Sequence, residues 1–350
     1  MRIDHQQLRR LTGNLLRATG SRPEEAETVA DHLVEANLAG HDSHGVGMLP
    51  HYVRNLKAGT LIPNQTPDIV SESGNFAVWD GRNGYGQVIA RDAIRWAVET
   101  ARREGVAVHG LRGTHHIGRV GTYGEIAAAA GLASLHFVNV NAGTPKVAPF
   151  RGREGRYGTN PVCIAIPGTA ATPPTILDMA TSRVAVGKVR VAHNEGKPMI
   201  PGALIDPDGA PTTDPGVIYR TPSGAVLSFG EHKGYGLALI AELLAGAVVG
   251  SGTVQPEHPR DRGIVNAMLS IVVDIERLAE RAYFEHEIDQ MITYIKATRP
   301  ADPDLPVLVP GEPERIARAA RRAEGIEIDA TTWAEIGEAA KSVGARFEAA

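Results

Sequence analysis

The sequence predicts an α/β fold with helical segments at both ends. Three observations carry this. Apolar residues recur at helical spacing near the N-terminus and again beyond residue 312. Between these ends, short β-like runs alternate with amphipathic stretches, the pattern of layered strands and helices. Finally, 350 residues with 43% hydrophobic and 22% charged side chains can bury a core without disulfide help. This length corresponds to two domains or one large domain with appendages.

Asp4 is placed to cap a helix that carries Leu8, Leu11, Leu15 and Leu16 on one face. Ser21-Arg22-Pro23-Glu24 has the spacing of a capping box. Ala26, Val29, Ala30, Leu33, Val34 and Leu38 follow at helical spacing, up to a stop at Gly40. A loop holding Ser43 and His44 comes next, then a short helix over 47–57 that Gly59 ends. Val78-Trp79-Asp80 reads as a strand end, 86–104 as an amphipathic helix, and Val106-Ala107-Val108 as a strand that enters a histidine-rich loop. A helix over 122–130 stops at Gly131, and three β-like runs follow: Ala133–Val140, Val162–Ile166 and 175–178. The Gly-, Pro- and Asp-rich stretch 194–231 reads as surface turns. The apolar stretch 234–250 carries Glu242 and reads as a buried helix rather than a membrane span. Helices are expected over Glu312–Glu324 and 331–343. The expected organisation is a helical N-terminal segment (1–75) packed with the C-terminal helices of 300–350, around an α/β region (76–299).

The bulk numbers narrow the function. Net charge is -4, and no run of like charge offers a stripe for phosphate neutralisation, so nucleic acid is not an expected partner. The single cysteine, Cys163, excludes an internal disulfide framework and sits in an apolar run as a buried thiol. Met1-Arg2-Ile3-Asp4-His5-Gln6 has no apolar h-region, so a cytoplasmic protein without a membrane partner is expected.

Two histidine loops are the candidate chemistry: Ser43-His44 after a helix, and Thr114-His115-His116-Ile117-Gly118-Arg119 between a strand and a helix. A strand-to-helix loop is where α/β proteins place reacting groups, and an imidazole suits proton transfer near neutral pH. Each histidine could equally be a hydrogen-bonded loop residue. Metal ligation is not expected: there is no His-Glu-x-x-His and no Cys/His ligand spacing. A metal-dependent hydrolase would need the fold to bring the two loops together. Gly84-Tyr85-Gly86 and Gly234-Tyr235-Gly236 each begin a Gly-x-Gly pattern, but neither completes the dinucleotide fingerprint. Residues alone stop at an α/β enzyme of unknown substrate.

Six segments then carry a resemblance: Gly40-His41-Asp42-Ser43-His44-Gly45-Val46, Thr114-His115-His116-Ile117-Gly118, Tyr157-Gly158-Thr159-Asn160-Pro161, Leu177-Asp178-Met179-Ala180-Thr181-Ser182, Lys233-Gly234-Tyr235-Gly236-Leu237-Ala238 and Leu308-Val309-Pro310-Gly311-Glu312. In this order they resemble the malate/L-lactate dehydrogenase family, and within it the hydroxycarboxylate dehydrogenase B subgroup. The resemblance implies a non-Rossmann α/β fold with a mixed sheet, NAD or NADP as cofactor, a small 2-oxo or 2-hydroxy acid as substrate, and a homodimer. It implies proton-transfer roles for His44 and His116 and substrate-side positions for Ser43 and Tyr52. It places cofactor contacts at Asp178, Met179, Ala180, Thr181 and Ser182, at His232 and Lys233, and at Pro310, Gly311 and Glu312, with Asn160 in a site-shaping turn.

Physical reasoning adds that amides of the Gly118-Arg119-Val120 turn, at a helix start, are placed to hold a diphosphate. One departure from the family pattern is Met48, where many relatives carry an arginine for the substrate carboxylate. Arg119 is the candidate replacement, with Met48 as an apolar wall for a larger, phenylpyruvate-like side chain. Pairing of Arg119 with Glu125, or with cofactor phosphate, is the alternative. The expected reaction is hydride transfer between nicotinamide and C2, coupled to proton transfer by His44 or His116. A lactate or malate dehydrogenase and a cyclic imino-acid reductase share every one of these motifs.

Overall fold

The computed structural model describes residues 1–259 and 261–348. The chain opens with β1 (Arg2–Ile3), α1 (His5–Ala18), α2 (Pro23–Leu38) and α3 (Leu49–Lys57). Asp4 caps α1, its carboxylate accepting the N–H groups of Gln6 and Gln7. The capping box does not form. Helix α2 starts on Pro23, with Arg22 as the cap residue and no side-chain cap bond. Proline at the first helical position has its φ preset and no N–H to satisfy, so the start does not need Ser21. The Arg22 N–H goes instead to Asn64 Oδ1 at 2.7 Å.

The central elements are β2 (Asp68–Ser73), β3 (Phe76–Asp80), α4 (Gly86–Glu104), β4 (Val106–Thr114), α5 (Gly121–Ala129), β5 (Ala133–Val140), β6 (Val162–Ile166) and β7 (Thr175–Met179). After them come α6 (Val186–Glu195), β8 (Leu204–Ile205), β9 (Pro211–Thr212), β10 (Ala225–Val226), α7 (His232–Glu242) and β11 (Asn266–Val273). The chain ends with α8 (Arg281–Lys296), α9 (Glu312–Glu324), β12 (Ile326–Glu327) and α10 (Ala330–Lys341). Seven strands form one mixed sheet in the order β2-β3-β4-β11-β5-β6-β7. Only β3 and β4, joined by the α4 crossover, pair in parallel. The other five pairs are antiparallel.

The central strand of this sheet, β11, is absent from the sequence reading. Its eight residues, Asn-Ala-Met-Leu-Ser-Ile-Val-Val, are flanked by β4 on one side and β5 on the other. A short apolar run with both faces covered has no alternation to betray it as a strand. Strand β4 likewise runs six residues past Val108, to Thr114, because β3 and β11 hold both of its edges.

Helices α4 and α5 pack their apolar residues on the sheet, with Ile89, Ile94, Leu111, Val138, Cys163 and Met268 in one buried cluster. Cys163 is fully buried, and burial holds its thiol well above the ordinary value, so it is the structural thiol expected. A second cluster joins the N-terminal helices to the end of the chain: Leu8, Leu15, Leu33 and Tyr52 pack with Ile326, Ile336, Ala340 and Phe347. Strand β1 pairs with β12, Ile3 opposite Ile326, and closes this cluster.

Two segments depart from expectation. The stretch 194–231 is more than surface turns: β10, β8 and β9 form a small antiparallel sheet, and Met199, Leu204, Ile218 and Val226 are buried in its own cluster. Turn-rich composition hid strands of two residues each. The stretch 234–250 is not one buried helix. Helix α7 passes into a π-helical segment, 243–248, and Leu239, Ile240, Leu243 and Val248 stay exposed. Its inward side holds Glu242, which accepts from Asn139 Nδ2 at 3.1 Å, Asn160 Nδ2 at 2.8 Å and Val254 N–H at 2.8 Å. These three bonds satisfy a carboxylate that burial would otherwise penalise. No helix of the described residues is long and apolar enough to cross a membrane.

Candidate active site

The two histidine loops meet. His44, in the short turn 42–44, and His116, just past the end of β4, stack with ring centroids 5.5 Å apart and planes 16° from parallel. Ser43 Oγ lies 2.9 Å from His44 Nδ1. His44 Nε2 is therefore the ring nitrogen left for a substrate. On the other ring, Tyr52 Oη lies 2.7 Å from His116 Nδ1, and Gln87 Nε2 donates to the same hydroxyl at 2.6 Å. With its oxygen accepting from Gln87, the Tyr52 hydroxyl donates to His116 Nδ1, which places the proton of neutral His116 on Nε2. Gln87 is fully buried on α4 and was not legible as a site residue, because glutamine within an amphipathic helix carries no motif. His115, adjacent to His116, turns inward to Asn55 Nδ2 at 2.8 Å and packs edge-on against Tyr52.

Burial pushes His44 down to about 4, with His41, Arg119 and Lys188 adding repulsion of the charged form. His116 is driven well below the ordinary imidazole value, first by burial and then by its histidine neighbours. Both rings are neutral at pH 7. Burial raises the Tyr52 phenol, so it remains a protonated donor.

Beside His44 opens a cleft of about 420 Å³. Ser43, His44, Arg119, Val120, Asp178, Met179, Ala180 and Ser182 of the expected site residues line it. The other expected positions do not. Asn160 is fully buried and holds the wall by donating to Ala238 O and Glu242. Thr181 is bonded back to Thr159 O at 2.8 Å. His232 and Lys233 are exposed at the start of α7. Pro310 O accepts the Ile176 N–H, Gly311 is the cap residue of α9, and Glu312 pairs with Lys296 at 2.6 Å. Lys188, Arg183 and Glu314 line the cleft without having been foreseen.

Three expectations are corrected here. Arg119 is 2% exposed and already paired: its guanidinium meets Glu125 at 2.9 Å and Asp178 at 3.2 Å. Burial works against its charge, and the two carboxylates more than offset this, so it stays cationic but engaged. This is the pairing with Glu125 left open by the sequence, not a free clamp for substrate. Nor are the amides around the Gly118-Arg119-Val120 turn all free to cradle a diphosphate. The Arg119 N–H donates to His32 Nε2 at 2.9 Å, and the Gly121 N–H at the start of α5 donates to Asp178 Oδ2 at 2.9 Å. Asp178 already occupies the anion position at that helix end. Met48 turns into the N-terminal core rather than lining the cleft, so the apolar wall expected of it is missing. Among the described residues no group of three His, Cys, Asp or Glu side chains is placed to hold a metal ion.

Residues 3–337 match the model of the malate/L-lactate dehydrogenase family. The chain belongs to that family. Over 345 residues it is 44% identical to hydroxycarboxylate dehydrogenase B of Escherichia coli (strain K12), covering 98% of this chain and 94% of the relative. It is 37% identical to the L-lactate dehydrogenase of Cupriavidus necator, covering 98% of each. The solved structure of sulfolactate dehydrogenase from Methanocaldococcus jannaschii superposes with a TM-score of 0.84 at 34% identity, covering 99% of this chain and 98% of that one. As a malate/L-lactate dehydrogenase family member, the chain is an oxidoreductase of the 2-hydroxy and 2-oxo acid class.

Proposed function

We propose that the protein interconverts a small 2-oxo acid and its 2-hydroxy acid with NAD or NADP bound along the cleft, and that His44 exchanges the proton with the substrate oxygen. The observation that carries this is the position of the His44 ring at the cleft wall, held by Ser43 through Nδ1. In oxidation His44 Nε2 takes the hydroxyl proton; in reduction the same nitrogen returns it to the new alkoxide. His116 backs the ring, oriented by Tyr52 and Gln87.

The residues present suit a dinucleotide. Val120, Met179, Val184 and Phe229 offer apolar faces for flat rings. Arg183 lines both this cleft and a neighbouring cavity of about 940 Å³, a cation common to two chambers as a diphosphate requires. When bound, the cofactor supplies or accepts the hydride. Met179, Ala180 and Ser182 would hold it in the cleft, and Arg183 at the junction with the neighbouring cavity. Contacts from His232, Lys233, Pro310, Gly311 and Glu312 belong to the same proposal and lie outside the cleft lining.

The test is oxidation of NADH and NADPH by the purified protein against pyruvate, oxaloacetate, glyoxylate, phenylpyruvate, hydroxyphenylpyruvate and cyclic imines. Turnover of one or more 2-oxo acids is expected. Turnover of cyclic imines alone would make it an imine reductase, and no turnover with either cofactor would end the reading. A homodimer is part of the proposal. Helix α8 buries none of its residues and exposes Tyr283, Met291 and Tyr294, apolar surface suited to a second copy. Light scattering that reports a monomer at micromolar concentration would refute it.

A further inference from the structure

A 2-oxo acid brings a carboxylate beside His44, and burying that charge requires a cationic partner. The cleft offers four groups able to carry positive charge besides His44: His41, Arg119, Arg183 and Lys188. Three are already directed elsewhere. His41 meets Glu314 at 3.1 Å. Arg119 is held by Glu125 and Asp178. Arg183 turns its guanidinium toward Gly202, at the neighbouring cavity. Lys188 lines the cleft, is close enough to repel charge on His44, and has no ion pair among the described residues.

The backbone holds it there. Gly187, its neighbour on α6, packs so closely on Ser43 that a Cβ would collide with that residue. Val189, on the other side, is fully buried in the core of the small sheet. Lys188 is thus tied to the residue that orients His44. Helix stability does not account for it: a cation in the first turn of a helix faces the positive end of the dipole.

We infer that Lys188 is the specificity-determining residue that binds the carboxylate of the 2-oxo acid, in the role that Met48 leaves vacant and that Arg119, already paired, does not fill. The inference rests on the proposed reaction at His44. A cofactor diphosphate is the other anion that a cleft lysine could hold, and the experiment separates the two.

Three variants are compared with wild type: Lys188→Met, which keeps the stem and removes the charge; Lys188→Gln; and Lys188→Arg. The expected result for Lys188→Met and Lys188→Gln is a KM for the 2-oxo acid raised by about 10- to 100-fold, as loss of a charge-assisted bond implies. Lys188→Arg should recover part of it. The decisive readout is charge selectivity. Wild type should prefer the 2-oxo acid over its neutral 2-oxo amide, and Lys188→Met should lose that preference, which a merely structural lysine would not change. Cofactor dissociation constants, read by NADH and NADPH fluorescence, should stay within about threefold.

An unchanged acid-to-amide ratio overturns the inference. So does a weakened cofactor with an unchanged KM for the acid, which would assign Lys188 to the diphosphate. Calorimetry of oxamate, a non-reducible mimic, on the cofactor complex gives a reading independent of turnover. If wild type binds oxamate and Lys188→Met does not, the lysine assignment stands even where the screen finds no reduced substrate and the reaction reading fails. Equal oxamate binding by both overturns it.

Discussion

His44 carries the sharpest residue-scale consequence. A histidine read from sequence is expected to titrate near neutrality, whereas burial and nearby cations lower this one to about 4. The base form is therefore populated throughout the neutral range. The kcat/KM for oxidation of the hydroxy acid should hold between pH 7 and 5 and fall only as pH approaches 4. The kcat/KM for reduction should rise as pH drops, because the acid form becomes more abundant. A basic limb centred near 6.5 in the free-enzyme profile would contradict the burial argument. Removing the ring in His44→Ala should lower kcat by about 10²–10⁴-fold, with circular dichroism unchanged. Tyr52→Phe leaves His116 Nδ1 and Gln87 Nε2 without their shared partner. A loss of about 1–3 kcal/mol of folding stability is expected, which urea unfolding should register as a lower midpoint.

At the scale of elements, the start of α5 is where sheet and site are joined. Asp178, on β7, accepts from the first amide of α5 and forms an ion pair with Arg119 just before it. Burial raises its carboxyl, while Arg119 and the Gly121 amide pull it back. Asp178→Asn would leave a buried guanidinium with Glu125 alone. Breaking such a pair costs about 3–5 kcal/mol, which urea unfolding should register. Gly118 stands at φ 74°, and a Cβ there would enter the His32 ring that accepts the Arg119 amide. Gly118→Ala should therefore destabilise the fold and reduce activity together, and a variant with wild-type Tm would show that the turn adapts. Element types were largely legible here: α4, β5, β6 and α9 have the bounds expected from periodicity. The interior strand β11 was not, since nothing in an apolar octet says which edges will cover it.

Across the whole molecule, the N-terminal helices, the sheet and the C-terminal helix share one ion network. Glu125 on α5 meets both Arg119 and Arg318 of α9, and Arg318 reaches Glu35 of α2 at 3.6 Å. Buried histidines add a pH dependence of the fold as a whole. His32, His109, His115 and His136 are lowered to about 3, and His44 and His51 to about 4, in each case chiefly by burial. Their folded values lie below the unfolded value near 6.5, so the unfolded chain binds protons first as pH falls. Stability is complete above pH 6.5 and is lost between there and pH 3–4, by up to about 1.4 kcal/mol per pH unit for each such ring. Denaturant unfolding at pH 7 and pH 5 should show the loss. Equal midpoints would mean that the rings accept protons without opening.

The order of motifs along the chain determined the family, the α/β class and the two histidine loops as candidates, because each is local in sequence: a period, a cap or a run of specific residues; that the two loops meet was decided by the fold. Tertiary structure alone decided which groups remain free. The Arg119 cation, the amides at the start of α5 and the Met48 side chain were all plausible ligand contacts in one dimension. Folding satisfies the first with Glu125 and Asp178, the second with His32 and Asp178, and packs the third, partly buried, against the N-terminal core. Whether a charge or donor is available depends on what lies opposite it in space, and partners from 6 to 87 positions away supply that answer.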